Sequence, residues 1–414
     1  MIYERGISSA LRVNLDNDYI LVIIGARQTG KTTLLRMLFN ELEEAKKKCF
    51  YINLERLDFV SLLDNAPENL FKIIPHVPKK NKSTVFIDEI QYLKNPTNFL
   101  KYFYDEYKDI IKLVISGSSA FYIDHKFRDS LAGRKRIFNL HTLSFREFLL
   151  FRQKEILLKY LPDRFDEGNF DMLSAMPELY KNDLMKMFSE YSCFGGYPRV
   201  VLAESLEEKR MIIEDLVSSN AKKDILESKL RYPERYFDLF KILASQTGGL
   251  LNRNELSKTL QLSAQAVENY LYVMQKSFQI ALVRSFHANI RKEIIKMPKV
   301  YFFDMGVRNY LLNDFKDISL RSDKGPFLEN LVFKQFLDKF PVDNIQFWRT
   351  QDKNELDFVV KSRYGFEVKF NPRVFLPSRY QNFMSKNPGI SVNVISYDVF
   401  NIVPGYKVWG AWGI

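Results

Sequence analysis

Tyr19–Thr33 reads YILVIIGARQTGKTT: an apolar run, a glycine-bounded loop, and the opening of a helical pattern. Within it Gly25–Thr32 is a complete G-x-x-x-x-G-K-[ST] motif, set between a strand and a helix. Glycine at both ends lets the backbone curl, so that the stretch Gly25, Ala26, Arg27, Gln28, Thr29 and Gly30 wraps its amides around phosphate oxygens. Lys31 supplies a point charge to the β- and γ-phosphates and the Thr32 hydroxyl ligates magnesium, with Thr33 closing the ATP-binding stretch. ATP and Mg2+ are the ligands this pattern implies.

Beyond this stretch the same signals repeat. Lys48–Leu54 (KCFYINL), Ser83–Ile87 (STVFI) and Ile111–Ser116 (IKLVIS) read as further strands, and Thr32–Ala45 as a helix. Strands spaced by helices predict an α/β fold with a parallel sheet covered on both faces. VFIDEIQ runs a buried strand into Asp88 and Glu89. Asp88 is placed to complete the magnesium shell, and Glu89 to orient or deprotonate the attacking water. Ser116–Ser119 (SGSS) ends the next strand, with Ser118 a candidate sensor of the γ-phosphate. Arg134 and Arg136, in LAGRKR, are candidates for a charge-stabilising arginine, in the same chain or toward a neighbouring subunit; the alternative is a solvated basic loop. From Leu143 to about Asn220 the pattern turns helical and predicts a lid, which sets the first domain at 1–220.

Residues 221–320 predict a winged helix-turn-helix. Tyr236–Ser245 and Arg253–Leu260 are short amphipathic helices, and a turn at Gln261–Ser263 leads into Ala264–Phe278. Val267, Leu271, Met274 and Phe278 keep helical spacing on its buried side. Gln265, Asn269, Tyr272 and Lys276, with Glu268 beside them, are the recognition-helix candidates. Ile280–Phe286 and Lys299–Phe303 would pair as the wing around a loop carrying Arg291, Lys292 and Lys296, with Arg284 on the first strand. These wing residues are the more basic and better suited to phosphate contact. Residues 321–414 open with a helix, Pro326–Phe340, and then alternate through strands Asn344–Arg349, Glu355–Val360, Gly365–Phe370 and Ser391–Ser396.

A net charge of +11 favours a polyanionic partner, of which nucleic acid is the commonest; a Lys-rich solvated surface is the bland alternative. The two cysteines, Cys49 and Cys193, are too few for a disulfide framework or a structural zinc site. No stretch reaches the roughly 20 uninterrupted apolar residues that span a bilayer, and the charged start lacks a secretory signal. A cytoplasmic protein with no membrane partner is expected.

In their order, GARQTGKTTLL, FIDEIQ, ISGSS, LAGR and HTLSFREFL resemble an archaeal and bacterial ATPase family of the AAA superfamily, near its STAND-type branch. Phe194–Pro198 (FGGYP), followed by Arg199, resembles that branch's Gly-x-Pro loop, which approaches the nucleotide from the lid. KVYFFDMGVRN, Phe327–Glu329 and the series WR…ELDF…EVK resemble the carboxy-terminal region of unknown function in these proteins. The resemblance implies an ATPase converting ATP and water to ADP and phosphate.

Glu329, Asp357, Glu367 and Lys369 also fall in the order of restriction-endonuclease-like folds. That likeness implies Asp357 and Glu367 holding a second divalent metal and Lys369 positioning a water. Leu356 stands where that family often has proline. Two readings are open. One is an ATP-dependent, DNA-associated enzyme with a metal-dependent nuclease-like carboxy-terminal domain. The other is a STAND-like switch that gates protein partners or self-assembly, its last domain inert. A metabolic kinase is disfavoured, since no small-substrate pocket is legible.

Overall fold

The computed structural model describes residues 3–74, 82–118, 131–162, 176–287, 289–350, 352, 354–397 and 408–413. The chain divides into two compact units: Met1–His141 with Lys276–Phe278, and Thr142–Gln275 with Gln279–Ile414. Thr142–Asn220, read from sequence as part of the nucleotide-binding domain, groups with the second unit.

The first unit is built on a five-stranded sheet of Ile20–Ile24 (β1), Cys49–Asn53 (β2), Ser83–Asp88 (β3), Ile111–Gly117 (β4) and Lys135–Asn139 (β5). All pairings are parallel, in the order β2-β3-β4-β1-β5. Strand alternation sends successive side chains to opposite faces, and β1 serves two cores at once. Ile20, Val22 and Ile24 pack on one face with Val85, Ile87, Leu113 and Ile115; Leu21 and Ile23 pack on the other with Phe86 and Val114. Helix Lys31–Glu44 covers the second face through Leu34, Leu35, Leu38 and Leu42, and helix Pro96–Tyr107 covers the first through Phe99, Leu100 and Phe103. Both faces being covered explains why these strands read as continuous apolar runs.

β5 is absent from the sequence expectation of four strands. Its KRIFN is an edge strand with half-buried and exposed positions, so it has no apolar run to betray it. Lys112, buried on β4, donates to the carbonyls of Asn14, Asn17 and Tyr19 and to Asn17 Oδ1 at 2.6–2.9 Å, and so ties the segment before β1 to the sheet.

The second unit begins with helices Phe145–Phe151, Glu178–Phe194, Pro198–Leu202 and Leu206–Glu227. Ser144 opens the first with a capping box: its hydroxyl accepts from the Glu147 amide while the Glu147 carboxylate accepts from its own. Helices Pro233–Ser245, Arg253–Leu260 and Ala264–Lys276 follow, then strands Ile280–Ser285 (β6) and Lys299–Phe302 (β7). Between these strands, the stretch read as a basic loop holds a short helix, Ile290–Ile295.

The β6–β7 hairpin is continuous with the strands of the carboxy-terminal region. β6 pairs in parallel with Ile345–Arg349 (β8), through Arg284↔Gln346 and Ser285↔Phe347. Glu355–Val360 (β9), Tyr364–Lys369 (β10), Ser391–Ser396 (β11) and Val408–Gly410 (β12) complete a sheet ordered β12-β11-β10-β9-β8-β6-β7. Helix Lys324–Lys339 packs on this sheet, with Phe333 stacked on Tyr301 at 4.8 Å and Phe336 edge-on to Phe358 at 5.3 Å.

The FGGYP loop is fixed by one carboxylate. Asp304 Oδ1 caps helix Met305–Leu311 by accepting from Gly306 and Val307, and Oδ2 accepts from the Gly196 amide at 2.8 Å. Burial holds the Asp304 carboxyl above its ordinary value, against the amide donors and Lys334. Gly195 has φ +76°, and a Cβ there would lie 2.0 Å from Asp304 Oδ1. Gly133 has φ +73° but nothing within 4 Å of its Cβ direction. Gly195→Ala is therefore expected to cost about 2–4 kcal/mol and Gly133→Ala about 1 kcal/mol, compared by urea unfolding. Equal costs would mean that Asp304 does not enforce the loop.

Candidate nucleotide site and a carboxylate cluster

The phosphate-binding loop leaves β1 and enters helix Lys31–Glu44 through two left-handed residues, Gln28 (φ 62°) and Gly30 (φ 96°). Gly25 has no room for a side chain: a Cβ would sit 2.1 Å from the Leu140 carbonyl, on the chain leaving β5. Thr29 Oγ1 donates back to Ala26 O at 2.8 Å. Arg5, buried, donates to Thr29 O at 2.7 Å and to His141 O at 2.8 Å. The loop thus holds its curl through its own backbone and one distant guanidinium. No sequence signal marked Arg5, since it lies far upstream and outside any motif.

Lys31 is buried and donates to Gly25 O at 3.0 Å and Ala26 O at 2.8 Å, so its ammonium rests on the loop that phosphate oxygens would fill. Burial pushes its pKa down to about 8, opposed by the carboxylates of Glu89 and Asp88. Thr32 is half-buried and Thr33 exposed at the helix start.

The strand order explains the acids. β4 lies between β1 and β3, so its end reaches the end of β3. Ser116 Oγ donates to Asp88 Oδ1 and accepts from the Glu89 amide at 3.0 Å, while Tyr51 on β2 donates to Asp88 Oδ2 at 2.8 Å. Burial, then Asp88, holds the Tyr51 hydroxyl well above its ordinary pKa, so it stays a donor. Asp88 is buried and oriented by the Ser116 and Tyr51 hydroxyls. Glu89 is left-handed, φ 58°, an uncommon conformation for a side-chain-bearing residue that turns the chain sharply after β3. Gln91 Nε2 donates to Glu89 Oε2 and, at 2.8 Å, to Ser118 Oγ. Gln91 was missed from sequence, although it sits in the quoted FIDEIQ.

Ser119 lies outside the described residues. Arg134 pairs with Asp105 at 2.8 Å, and Arg136, on β5, donates to Asn14 Oδ1 with its guanidinium 4.6 Å from the Tyr19 ring centre.

In the second unit Glu329 (helix Lys324–Lys339), Asp357 (β9), Glu367 and Lys369 (β10) are brought together, with additions. Lys299 on β7 reaches Glu329 Oε1 at 2.7 Å, Glu355 Oε1 at 2.5 Å and Asp357 Oδ1 at 3.8 Å. Tyr301 donates to the same Glu329 oxygen, the Val368 amide to Asp357 Oδ2 at 2.8 Å, and Lys369 to Glu367 Oε1. Burial works against the Lys299 charge, but Glu329, Asp357 and Glu355 outweigh it and hold the ammonium above its ordinary value. Burial pushes Glu329 and Glu367 upward. Among the described residues no group of three or more His, Cys, Asp or Glu side chains is disposed to hold a metal ion. The second divalent metal implied by the nuclease likeness does not fit the cluster as built, because an ammonium lies among its carboxylates.

Residues 17–149 match the family described as an AAA domain; 185–317 and 324–397 match two families described as domains of unknown function, DUF8612 and DUF4143. An uncharacterized protein of Methanocaldococcus jannaschii is 26% identical over 361 residues, covering 86% of this chain and 75% of that protein. One of Haemophilus influenzae is 25% identical over 366 residues, covering 84% and 80%. Among solved structures, a Walker-type ATPase of Pyrococcus abyssi aligns over 75% of this chain and 96% of its own, with 15% identity and TM-score 0.47. The first unit has the mixed α/β fold of a P-loop nucleoside triphosphatase, with the loop Gly25–Thr32 after β1 of a parallel sheet. No helix among the described residues is long and apolar enough to cross a membrane.

Phosphates of an ATP bound in this loop would meet Lys31 as an ammonium and raise that group's pKa. Above about pH 7.5 the nucleotide is already ionised, since a phosphate's second pKa is about 6. The dissociation constant for ATP is expected to rise once the pH passes about 8, the free protein's Lys31 value, by up to about tenfold per pH unit. Lys31→Arg is expected to bind more weakly and without this dependence, because guanidinium keeps its proton. Calorimetry across about pH 7.5–9.5 checks both; a flat wild-type profile removes Lys31 as the titrating group.

Proposed function

We propose that this chain is a magnesium-dependent ATPase that couples ATP hydrolysis to engagement of DNA. The observation that carries the hydrolytic part is Glu89, held by Gln91 against Ser118 beside a preformed phosphate loop. In this reading the loop amides and the amino end of helix Lys31–Glu44 bind the phosphates, and Lys31 leaves its carbonyls to meet them. Thr32 and Asp88 would hold a magnesium ion, which would neutralise phosphate charge. Glu89 orients the attacking water and accepts its proton. Ser118 contacts the γ-phosphate, and Gln91 links that contact to the position of Glu89. Arg134 remains the candidate arginine, available once its pairing with Asp105 is exchanged.

Support for DNA is a net charge of +11 and three helices followed by a strand pair, the order of a winged helix-turn-helix. Gln265 and Asn269 lie exposed on helix Ala264–Lys276, and Arg284, Arg291 and Lys296 are exposed along the hairpin. Lys292's side chain lies outside the described residues. Glu268 is paired with Arg253 at 2.5 Å, which tempers its repulsion of a phosphate. A second reading, a nucleotide-gated switch acting on protein partners or on further copies of this chain, is favoured by the ammonium in the carboxylate cluster, which argues against cleavage there.

Lys31→Ala is expected to weaken ATP binding at least tenfold. Glu89→Gln is expected to keep affinity within about threefold while kcat falls about 10²–10³-fold. Wild-type turnover in Glu89→Gln would remove that residue from the mechanism. For DNA, duplex affinity is expected to fall steeply from about 50 to 200 mM salt. Changing Arg284, Arg291 and Lys296 together to alanine should lower the log–log salt slope by up to about 3. ATPase activity indifferent to DNA, with no duplex binding at low salt, would transfer the assignment to the switch.

A further inference from the structure

We propose that the Lys299 ammonium is the resident cation of the carboxy-terminal carboxylate cluster, filling the place of a divalent ion among Glu329, Glu355 and Asp357. The cluster is closed to metal while that ammonium is present. This inference is independent of the ATPase reading.

Three observations carry it. The first is position: one nitrogen lies within 4 Å of oxygens from three carboxylates, on helix Lys324–Lys339 and on β9. It donates a charged hydrogen bond to Glu329 at 2.7 Å and is ion-paired with Glu355 at 2.5 Å. The second is fixation. β7 pairs with β6 on one side, while Val300 donates to Gly249 O and Leu251 to Pro298 O on the other. The Lys299 side chain is 2% exposed. Tyr301, two residues on and so on the same strand face, donates to the same Glu329 oxygen, leaving that acceptor doubly engaged.

The third is charge. Glu329, Glu355, Asp357 and Glu367 carry four formal negative charges against three positive, from Lys299, Lys369 and Arg349. A divalent ion added to these would sit against an ammonium in a poorly solvated site. Removing Lys299 leaves four negative charges against two, a deficit a divalent ion balances. Glu367, 5% exposed, keeps its carboxylate beside Lys369 and the Tyr380 hydroxyl.

The test is Mn2+ binding to the nucleotide-free full chain, followed by electron paramagnetic resonance. Wild type is expected to show no Asp357-dependent site up to about 1 mM. Lys299→Ala should gain one site at least tenfold tighter, lost again on adding Asp357→Asn, and its unfolding temperature should rise with Mn2+ where wild type's does not. Lys299→Arg should gain none. Lys299→Gln keeps a hydrogen-bonding side chain of similar reach without the charge and guards against an alanine variant that does not fold; it too should gain the site, since all four carboxylates remain against two cations. An Asp357-dependent Mn2+ site in the wild-type chain overturns the proposal, and so does a folded Lys299→Ala or Lys299→Gln variant that binds none.

Discussion

The parallel register of β1, β3 and β4 is the constraint on which the nucleotide site depends. Parallel strands deliver their carboxyl ends to one edge, and ligands of open α/β sheets gather there. Because β4 lies between β1 and β3, the hydroxyl of Ser116 is within reach of Asp88, and Ser118 within reach of Gln91. The register is held by burial: β1 divides its side chains between two cores, so a one-residue slip would exchange the contents of both.

The phosphate loop is held in its curl by contacts from several elements. Gly25 is forced by the Leu140 carbonyl, Thr29 is braced by Arg5, and Lys31 is satisfied by two loop carbonyls. Each contact would lower the ordering cost of binding a phosphate, since the loop need not find its curl. A phosphate bound there would have only to draw one ammonium from two neutral acceptors, an exchange favoured by charge.

In the second unit, the sheet that carries Asp357 and Glu367 also contains the hairpin that carries Lys299. A cation from one stretch of sequence thus completes a cluster assembled from another. Such a group resists solvation from any side and holds helix Lys324–Lys339 to β7 and β9 through a single atom. Truncating it would strand three carboxylates, which is the costly way to break a buried pair. Asp304 plays a related part for Gly196, with one buried carboxylate joining a glycine loop to a helix start.

Local pattern carried much of this protein. β1, the phosphate loop and the VFIDE strand end were legible because apolar runs, glycines and acids at fixed spacing have short-range causes. The helices after Leu143 were legible from periodicity, and Ser144 and Glu147 stand at capping-box spacing. β5 was not legible, since an edge strand lacks the doubly buried signature, and neither was the short helix between β6 and β7. What tertiary structure alone decided was which distant groups share a site. Arg5 meets Thr29, Gln91 meets Ser118, and Lys299 meets Glu329, Glu355 and Asp357. The reason is physical. Spacing along a chain determines which side chains share a strand or helix face, but the pairing of charges across elements depends on strand order and packing, which no local pattern encodes.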